Sequence, residues 1–175
     1  AKKAQYECVV MSTHGRTGIS RMLLGSVAEE IIRNAKIPVL SIGPEAQQKG
    51  ASSWKGGFED GFIVATDLGV NSHKAEKLAM AWAKKFKARV WLVHSFRDGL
   101  HPVLQTAFGA GSRSSELASV LAPHRDRARK SMELRLKAWK RAGVECDGFI
   151  DESVGSAREA ILDQAAARKA SCIFL

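Results

Sequence analysis

The first chemistry that the sequence offers is a glycine-punctuated loop that leads into a helix, at residues 11–29 (MSTHGRTGISRMLLGSVAE). Such a loop presents unpaired backbone N–H groups, with the positive end of a helix dipole behind them, and this arrangement binds phosphate. Gly15 and Gly18 allow a close approach that a Cβ would block, and Ser26 adds a hydroxyl. The stretch therefore predicts an anion site, although it contains neither GxxxxGK[ST] nor GxGxxG.

The same helix start also has a purely structural interpretation. Ser26-Val-Ala-Glu29 fits a capping box, in which the serine hydroxyl and the glutamate carboxylate each accept a bond from a free backbone amide. A Gly25-Ser26 pair is then expected at any well-formed helix start. Likewise, Arg16 and Arg21 fit either neutralisation of phosphate or simple solvent exposure. The residues alone leave both interpretations open.

The other reactive side chains form no recognisable catalytic group. His14 has no nucleophile or carboxylate close by in sequence, and His94, at the end of an apolar run, is typical of a satisfied core or edge histidine. No histidine has metal-ligand spacing, so the sequence predicts no metal site. Asp147, Asp151 and Glu152 are interpreted as solvated strand ends. No catalytic residue is predicted.

The composition suggests one domain plus a fragment of another. A chain of 175 residues that is 45% hydrophobic can bury the core of one domain of ~100–150 residues with some sequence left over. It contains no long apolar run and no secretory signal pattern, so we expect a cytoplasmic protein with no membrane partner. Cys8, Cys146 and Cys172 show no CxxC spacing and are expected to be reduced and structural.

A net charge of +9 raises the question of nucleic-acid binding. The excess is concentrated at 113–141, which carries nine Lys/Arg against three acidic residues. Ala128, Met132, Leu136 and Trp139 recur there at helical spacing, which predicts an amphipathic helix whose basic residues mostly face solvent. Because no aromatic stacking positions or zinc finger accompany this charge, no nucleic-acid partner is predicted.

Short apolar runs alternate with amphipathic stretches along the chain, which predicts an α/β fold with a parallel sheet. The first group is strand ECVVMS, helix SVAEEIIRNA and strand PVLSIG. The polar stretch 44–61 then predicts a linker, whose Trp54 and Phe58 could dock on a neighbour. The second group is strand FIVATD, helix NSHKAEKLAMAWAKKFKA, strand RVWLVHSF, the basic helix, strand VECDGFID, helix SAREAILDQAAARKA and strand CIFL.

The two ends of the chain form a weak internal repeat. Cys8 and Cys172 each follow an Ala- and Lys-containing helix tail and each lead into an apolar run, 172 − 8 = 164 residues apart. This repeat predicts that the chain covers one period of a two-module protein and is cut at equivalent points in both modules.

One spacing in the first group resembles a known family. Ser12-Thr13-His14-Gly15, nine residues and then Gly25-Ser26 is similar to the Gly-x-x-Gly, nine residues, Gly-Ser/Thr loop of nucleotide-binding universal stress proteins, with Ser12 in place of the first glycine. SVAEEIIRNAKIPVLSIG resembles the last helix and fifth strand of that family. FIVATDLGVNSHKAEKLA resembles its first strand and helix, VWLVHSF its second strand and GSAREAILDQA its third helix.

The resemblance implies an open, doubly wound parallel sheet of the adenine-nucleotide alpha-hydrolase-like type, with strand order 3-2-1-4-5 and a ligand between strands 1 and 4. It implies that residues 1–43 are the C-terminal portion of a first module (strand 4, helix 4, strand 5) and that 44–61 is a linker. Residues 62–175 would be a second module from strand 1 to strand 4, without its own helix 4 and strand 5. This is a piece of a tandem repeat.

The resemblance also implies the ligand contacts. Asp67 would bond the ribose or adenine, and the backbone of Ser95 would meet the base. The full set of nucleotide-contacting residues is Ser12, His14, Gly15, Gly25, Ser26, Val27, Thr66, Asp67 and Ser95. The implied cofactor is ATP, and no protein ligand for Mg²⁺ is predicted. Because this set is divided between the modules, we expect residues 1–43 to complete the second module, within a chain or by exchange between chains.

The implied function is adenine-nucleotide binding in a stress response, with at most slow ATP hydrolysis because no catalytic base is identified. The alternative is a stress protein that binds no nucleotide and acts as a homodimer or by pairing with another universal stress protein module. In that alternative, PVLSIG is an edge strand that pairs with its counterpart.

Overall fold

The computed structural model of the protein describes residues 7–13, 25–43, 58, 60–96, 114–152 and 156–175. The chain divides into two compact units, unit 1 (Ala1–Gly56) and unit 2 (Gly57–Leu175). Residues 44–57 of the predicted linker lie outside the described residues. The assignment of the two units to modules therefore stays a prediction.

Unit 1 has the predicted strand, helix and strand. The two strands pair in parallel, with Val9 opposite Val39. Pro38 precedes the second strand, where its carbonyl accepts a bond from Val9 N at 2.9 Å and its missing N–H costs no ladder bond. The elements are β1 (Val9–Ser12), α1 (Ser26–Asn34) and β2 (Val39–Ile42).

The start of α1 differs from the prediction. Gly25 is the N-cap residue (φ −60°, ψ 143°) and Ser26 is already helical, so no side chain caps the helix and the predicted capping box is wrong. A capping serine needs extended backbone angles, which Ser26 does not have. The turn is held by backbone bonds instead, from Gly25 N to Thr13 O at 3.2 Å and from Glu29 N to Gly25 O at 2.9 Å. The Glu29 carboxylate pairs with Arg33 at 2.8 Å.

Unit 2 is built on a four-stranded parallel sheet with the order β5-β4-β3-β6. If the strands of unit 2 are numbered from one along the chain, this order is 3-2-1-4, as in the predicted order 3-2-1-4-5. The position of the fifth strand stays a prediction. The elements are β3 (Phe62–Ala65), α2 (His73–Phe86), β4 (Val90–Ser95), α3 (Ser114–Arg141), β5 (Cys146–Asp151), α4 (Ala157–Ala167) and β6 (Cys172–Phe174).

Helices cover both faces of this sheet. On one face, Phe62 and Val64 of β3 pack with Ala79 of α2 and with Met132 of α3. Ile63 points to the opposite face, where α4 lies against β3 and β4. Phe62, Ile63 and Val64 are fully buried, and each contributes about 1.5–3 kcal/mol by burial. A strand buried on both faces is uniformly apolar, which is why FIVA shows no alternation in sequence.

An aromatic cluster closes one end of this core. The Phe58 ring lies 5.1 Å from that of Phe62 and 4.7 Å from that of Phe86, measured between centroids, and it also contacts Trp82. The expected docking of Phe58 on a neighbour is therefore confirmed, whereas Trp54 lies outside the described residues. Gly61 follows with φ +75°, where a Cβ would approach Arg89 O to 2.4 Å. Only glycine fits this entry into β3.

Helix α3 lies directly on β5 because residue 148 is glycine. A Cβ at Gly148 would lie 2.7 Å from Met132 Cγ and 3.1 Å from Leu136 Cδ1. Met132 and Trp139 are buried, which confirms the predicted apolar face of this helix. Although α3 has 28 residues, neither it nor any other helix in the described parts of the chain is long and apolar enough to cross a membrane.

All three cysteines are free thiols. Cys146 is buried and Cys172 is half-buried, and burial raises the pKa of both thiols. A raised pKa keeps a thiol protonated at neutral pH and therefore unreactive. The predicted reduced, structural cysteines agree with this arrangement.

Candidate functional site

The carboxyl ends of β3 and β4 open into a cleft of about 620 Å³ within unit 2. Along the chain, β4 and β5 are added to one side of β3, and β6 is then added to the other side. The order in which the strands are added therefore reverses beside β3. Open α/β sheets bind ligands at such a reversal. Polar residues line the cleft from both strand ends and from α3, among them Thr66, Asp67, Ser95, His124, Arg127 and Ser131.

Asp67 is the charged group at the end of β3. Its Oδ1 accepts a bond from Ser72 Oγ at 2.7 Å and one from Gly69 N at 2.7 Å. These bonds, that of the Ser72 hydroxyl above all, lower the pKa of the Asp67 carboxyl, so it is ionised at neutral pH. Asp67 is nevertheless exposed at the surface of the cleft. It is therefore an oriented hydrogen-bond acceptor that a ligand hydroxyl can reach.

A buried polar network fixes the turn that carries Asp67. Thr66 Oγ1 donates to Glu76 Oε1 at 2.6 Å and accepts from Leu68 N at 3.0 Å. Glu76 pairs with Arg135 Nε of α3 at 3.1 Å, and Arg135 also donates to Gly69 O at 3.1 Å. Thr66 and Glu76 are both buried. Such a network holds the turn in one geometry, and the hydroxyl of Thr66 is used in it.

This network adds to what the sequence predicts for two residues. Arg135 points inward to Glu76, so it is an exception to the solvated basic face expected for α3. Thr66 shapes the turn, and its expected contact with a nucleotide stays a prediction. The sequence gives no signal for the pair of Glu76 and Arg135, because the two residues are 59 positions apart.

The end of β4 presents two polar side chains with different environments. His94 Nδ1 lies 2.8 Å from Thr66 O, which confirms the expected satisfied histidine. The buried Ser95 Oγ has no hydrogen-bond partner among the described residues. The sequence predicts a role for the Ser95 backbone and misses this hydroxyl, which belongs to a residue that lines the cleft. A buried, unpartnered hydroxyl is unfavourable unless a ligand or water satisfies it.

In unit 1, some of the predicted phosphate-contacting residues lie together. The bond from Gly25 N to Thr13 O at 3.2 Å brings the end of β1, where Ser12 lies, to the start of α1. Ser26 and Val27, the first two residues of α1, are exposed. A ligand could therefore reach the start of this helix.

The remaining predicted contacts are distributed as follows. Thr66, Asp67 and Ser95 line one cleft in unit 2. His14 and Gly15 lie outside the described residues. The expected union of residues 1–43 with the second module stays a prediction.

Of the three acidic residues of β5 and its end, Asp147 and Glu152 are exposed as expected, whereas Asp151 is buried, so the solvated interpretation is wrong for Asp151. Asp147 forms an ion pair with Arg89. Glu152 pairs with Arg125 at 3.2 Å and with Arg129 at 3.1 Å. In the described part of the chain, no three His, Cys, Asp or Glu side chains form a cluster that could hold a metal ion.

Comparison with known proteins finds a family match in the N-terminal part of the chain. Residues 1–42 match the model of the universal stress protein family. This stretch of the chain is therefore similar to universal stress proteins. Over 42 residues it is 52% identical to universal stress protein MJ0531 of Methanocaldococcus jannaschii, a match that covers 24% of this chain and 25% of that protein. The chain thus spans about a quarter of the length of this curated universal stress protein.

Solved universal stress proteins show the same fold. A crystal structure from Archaeoglobus fulgidus DSM 4304 covers 96% of this chain with a TM-score of 0.59 and 19% identity, and the match covers 48% of that protein. This likeness shows that the chain has an α/β fold similar to that of the archaeal protein. A universal stress protein from Archaeoglobus fulgidus in complex with dAMP is also 19% identical, over 65% of this chain and 77% of its own, with a TM-score of 0.44. That nucleotide is a property of the archaeal protein.

Proposed function

We propose that the cleft of unit 2 binds the nucleoside part of an adenine nucleotide, with ATP as the physiological candidate, as part of a stress response. The observation that carries this proposal is the oriented Asp67 carboxylate at the carboxyl end of β3, beside the reversal of the sheet. The family match of residues 1–42 supports it independently.

The lining of the cleft suits a nucleoside. The ionised Asp67 can accept bonds from ribose hydroxyls, and bonds to a charged acceptor are about twice as strong as neutral ones. Ser95 offers its backbone and its unpartnered hydroxyl to the polar edge of a base. Val93, Ala128 and Ile161 provide apolar surface for the flat base.

We propose a phosphate-contacting segment within unit 1 as well. In α1 the Ser26 hydroxyl makes no capping bond, and the amides of the first turn have no side-chain cap. An anion at this point would satisfy those amides and interact favourably with the helix dipole. Within unit 1 we therefore propose phosphate contacts by Ser12, Gly25, Ser26 and Val27, to which the family resemblance adds His14 and Gly15, while Mg²⁺ would accompany ATP without protein ligands.

Calorimetric titration of the full chain with adenosine tests the role of Asp67. In Asp67→Asn, Oδ1 can still accept from Gly69 N and Ser72 Oγ, so the turn is kept while the charge is lost. We expect adenosine to bind about tenfold more weakly, since a hydrogen bond to a charged group contributes about 1.5–3 kcal/mol. The control is Asp163→Asn on the exposed surface of α4, outside the cleft lining.

A second ligand makes this test specific for the ribose. Adenosine without its 2′ and 3′ hydroxyls should bind wild type about tenfold more weakly than adenosine, and this difference should disappear in Asp67→Asn. An absence of adenosine binding to wild type, or equal affinity of Asp67→Asn and wild type, would overturn the proposal.

A second candidate function is association of modules through β2. Val9 N donates to Pro38 O and Thr13 N to Ile42 O, so alternate residues of β2 face β1 and the N–H of Ser41 points to the outer edge. In the described part of unit 1, that edge has no partner strand. An unpaired edge can add a strand from a second chain.

Ser41→Pro tests this second candidate, because proline removes the outward N–H. The matched control, Ser41→Ala, keeps that N–H and removes only the hydroxyl. If β2 mediates pairing, sedimentation velocity should show a dimer for wild type and Ser41→Ala and a monomer for Ser41→Pro. A monomeric wild type at tens of micromolar concentration would overturn the candidate.

A further inference from the structure

Helices α2 and α3 form one layer of unit 2, and the side of this layer that faces away from the sheet is strongly basic. Both helices pack on the same face of the sheet, and Arg135 of α3 joins Glu76 of α2 at 3.1 Å. Because Glu76 is buried, α2 has exposed lysines and no exposed carboxylate. These lysines are Lys74, Lys77, Lys84 and Lys85.

The outermost stripe of α3 combines cations with an exposed leucine. Its members follow one another at steps of four, three and four positions, so they lie on a single helical face, opposite the buried Met132 and Trp139. Leu134, in the middle of the stripe, is 67% exposed. The stripe consists of Lys130, Leu134, Lys137 and Arg141. Together with the exposed lysines of α2 it forms what we call the basic surface.

The positive charge of the basic surface is not neutralised locally. Among the described residues, no lysine of α2 or α3 forms an ion pair. Like charges at neighbouring helical positions, as in Lys137 and Arg141, destabilise a helix slightly. On the other face of the sheet, α4 has a mixed surface, with Arg158 against Glu159 and Asp163. An anionic partner would therefore bind to the basic side of unit 2 and relieve its repulsion.

We propose that the basic surface docks an acidic protein segment that carries an apolar side chain, which Leu134 contacts. An apolar centre surrounded by a charged rim is typical of protein interfaces. Complementary charge around that centre speeds the encounter and fixes its orientation. None of these residues lines the cleft, so the proposal is independent of the nucleotide site.

The side chains of this surface favour a protein over nucleic acid or a membrane. All of its cations except Arg141 are lysines, which lack the paired donors with which arginine matches phosphate. The exposed Glu133, beside Leu134, repels a phosphate backbone but can accept a bond from a basic side chain of a protein. A membrane surface requires a wide apolar face, and Leu134 is the one large apolar side chain of the stripe.

The test uses two labelled probe peptides and the fluorescence anisotropy that each shows when the full chain is added. One peptide is a helix with glutamates around a single leucine, and the other has alanine in place of that leucine. We expect wild type to bind the leucine peptide about tenfold more tightly, equivalent to about 1.4 kcal/mol, and added salt to weaken both peptides. In Leu134→Ala the difference between the peptides should disappear.

A double variant tests the charges. Lys130→Gln with Lys137→Gln, on either side of Leu134, should weaken both peptides about tenfold. The matched control for charge is Arg158→Gln with Lys36→Gln, which removes two exposed cations elsewhere, and the control for Leu134→Ala is Leu162→Ala on α4. Both controls should bind as wild type does. Circular dichroism checks that each variant is folded.

Three results with the peptides would overturn the proposal. These are no binding of either peptide at low salt, equal affinity of wild type for the two peptides, and an equal loss of affinity in the double variant and its charge control. Wild type is also titrated with a short DNA duplex and with phosphatidylserine vesicles. Tighter binding of either than of the leucine peptide would overturn the proposal as well, and would assign the surface to nucleic acid or to a membrane.

Discussion

Two helices of this molecule begin with the same sequence pattern and are held in different ways. Ser156-Ala-Arg-Glu159 forms a full capping box at the start of α4, with Glu159 N donating to Ser156 Oγ at 3.2 Å and Ser156 N donating to Glu159 Oε2 at 2.8 Å. Ser26-Val-Ala-Glu29 at the start of α1 forms neither bond, because the helix already includes Ser26.

The difference lies in the backbone before the helix. Ser156 is extended (φ −84°, ψ 156°), so its side chain can turn back over the first turn of α4. In α1 the extended residue is Gly25, which is tied to the end of β1 through Thr13 O. A strand contact thus shifts the helix start by one residue. The same four-residue pattern caps the helix in unit 2 and leaves the Ser26 hydroxyl without a capping bond in unit 1.

The largest effect on stability is expected at the start of a third helix, α2, where Glu76 in the first turn pairs with Arg135. Arg135→Ala would leave Glu76 buried without its cation, and we expect a loss of about 3 kcal/mol in unfolding free energy. Urea denaturation measures this loss. Arg129→Ala, which removes an exposed pair, should cost less than about 1 kcal/mol. Equal effects would contradict the distinction between a buried and an exposed ion pair.

The next effect concerns the capping box itself. Ser156→Ala should lower the unfolding free energy by about 1 kcal/mol, because the Glu159 amide loses its acceptor. The same denaturation experiment measures it. A loss below about 0.3 kcal/mol would show that the box contributes no more than the uncapped start of α1.

A smaller, pH-dependent effect is expected from Glu159 of the capping box. The Ser156 backbone amide, followed by the Ser156 hydroxyl, lowers the pKa of Glu159 in the folded protein. A lowered folded-state pKa gives stability that is present above the ordinary carboxyl range and is lost as pH falls through the lowered pKa. The stability difference between wild type and Glu159→Gln should therefore be larger at pH 7 than at pH 3. A constant difference would contradict this.

The smallest expected effect is that of Ser26→Ala. Because Ser26 makes no capping bond, its removal should change the unfolding free energy by less than about 0.5 kcal/mol. If the hydroxyl contacts phosphate, the same variant should still bind ATP more weakly than wild type in calorimetry. A loss of stability similar to that of Ser156→Ala would restore the capping interpretation.

Much of the fold could be predicted because it depends on local patterns. Each strand and helix that the structure describes falls within a predicted segment, since apolar runs such as FIVA and the spacing of Met132 and Trp139 report burial directly. The capping box at Ser26 failed because a contact with Thr13 O, made by Gly25, sets where α1 begins. The spacing of residues in the sequence does not predict this contact.

The candidate site was predictable only in part. Asp67 follows a strand and could be found by resemblance, and the structure explains its geometry through Ser72 and Gly69. Arg127, which lines the cleft, could not be distinguished from Arg129, which pairs with Glu152, in a uniformly basic helix. Their difference depends on where Glu152 lies after folding, which is a long-range property.

Gly148 lacks a side chain, which allows helix α3 to pack closely on strand β5 in unit 2. A Cβ there would lie 2.7 Å from Met132 Cγ and 3.1 Å from Leu136 Cδ1, so the Met132 side chain or α3 itself would have to shift. The same helix carries one wall of the cleft and the arginine that locks the Asp67 turn. We therefore expect substitutions at residue 148, which does not line the cleft, to change the cleft's shape by displacing α3 relative to β5.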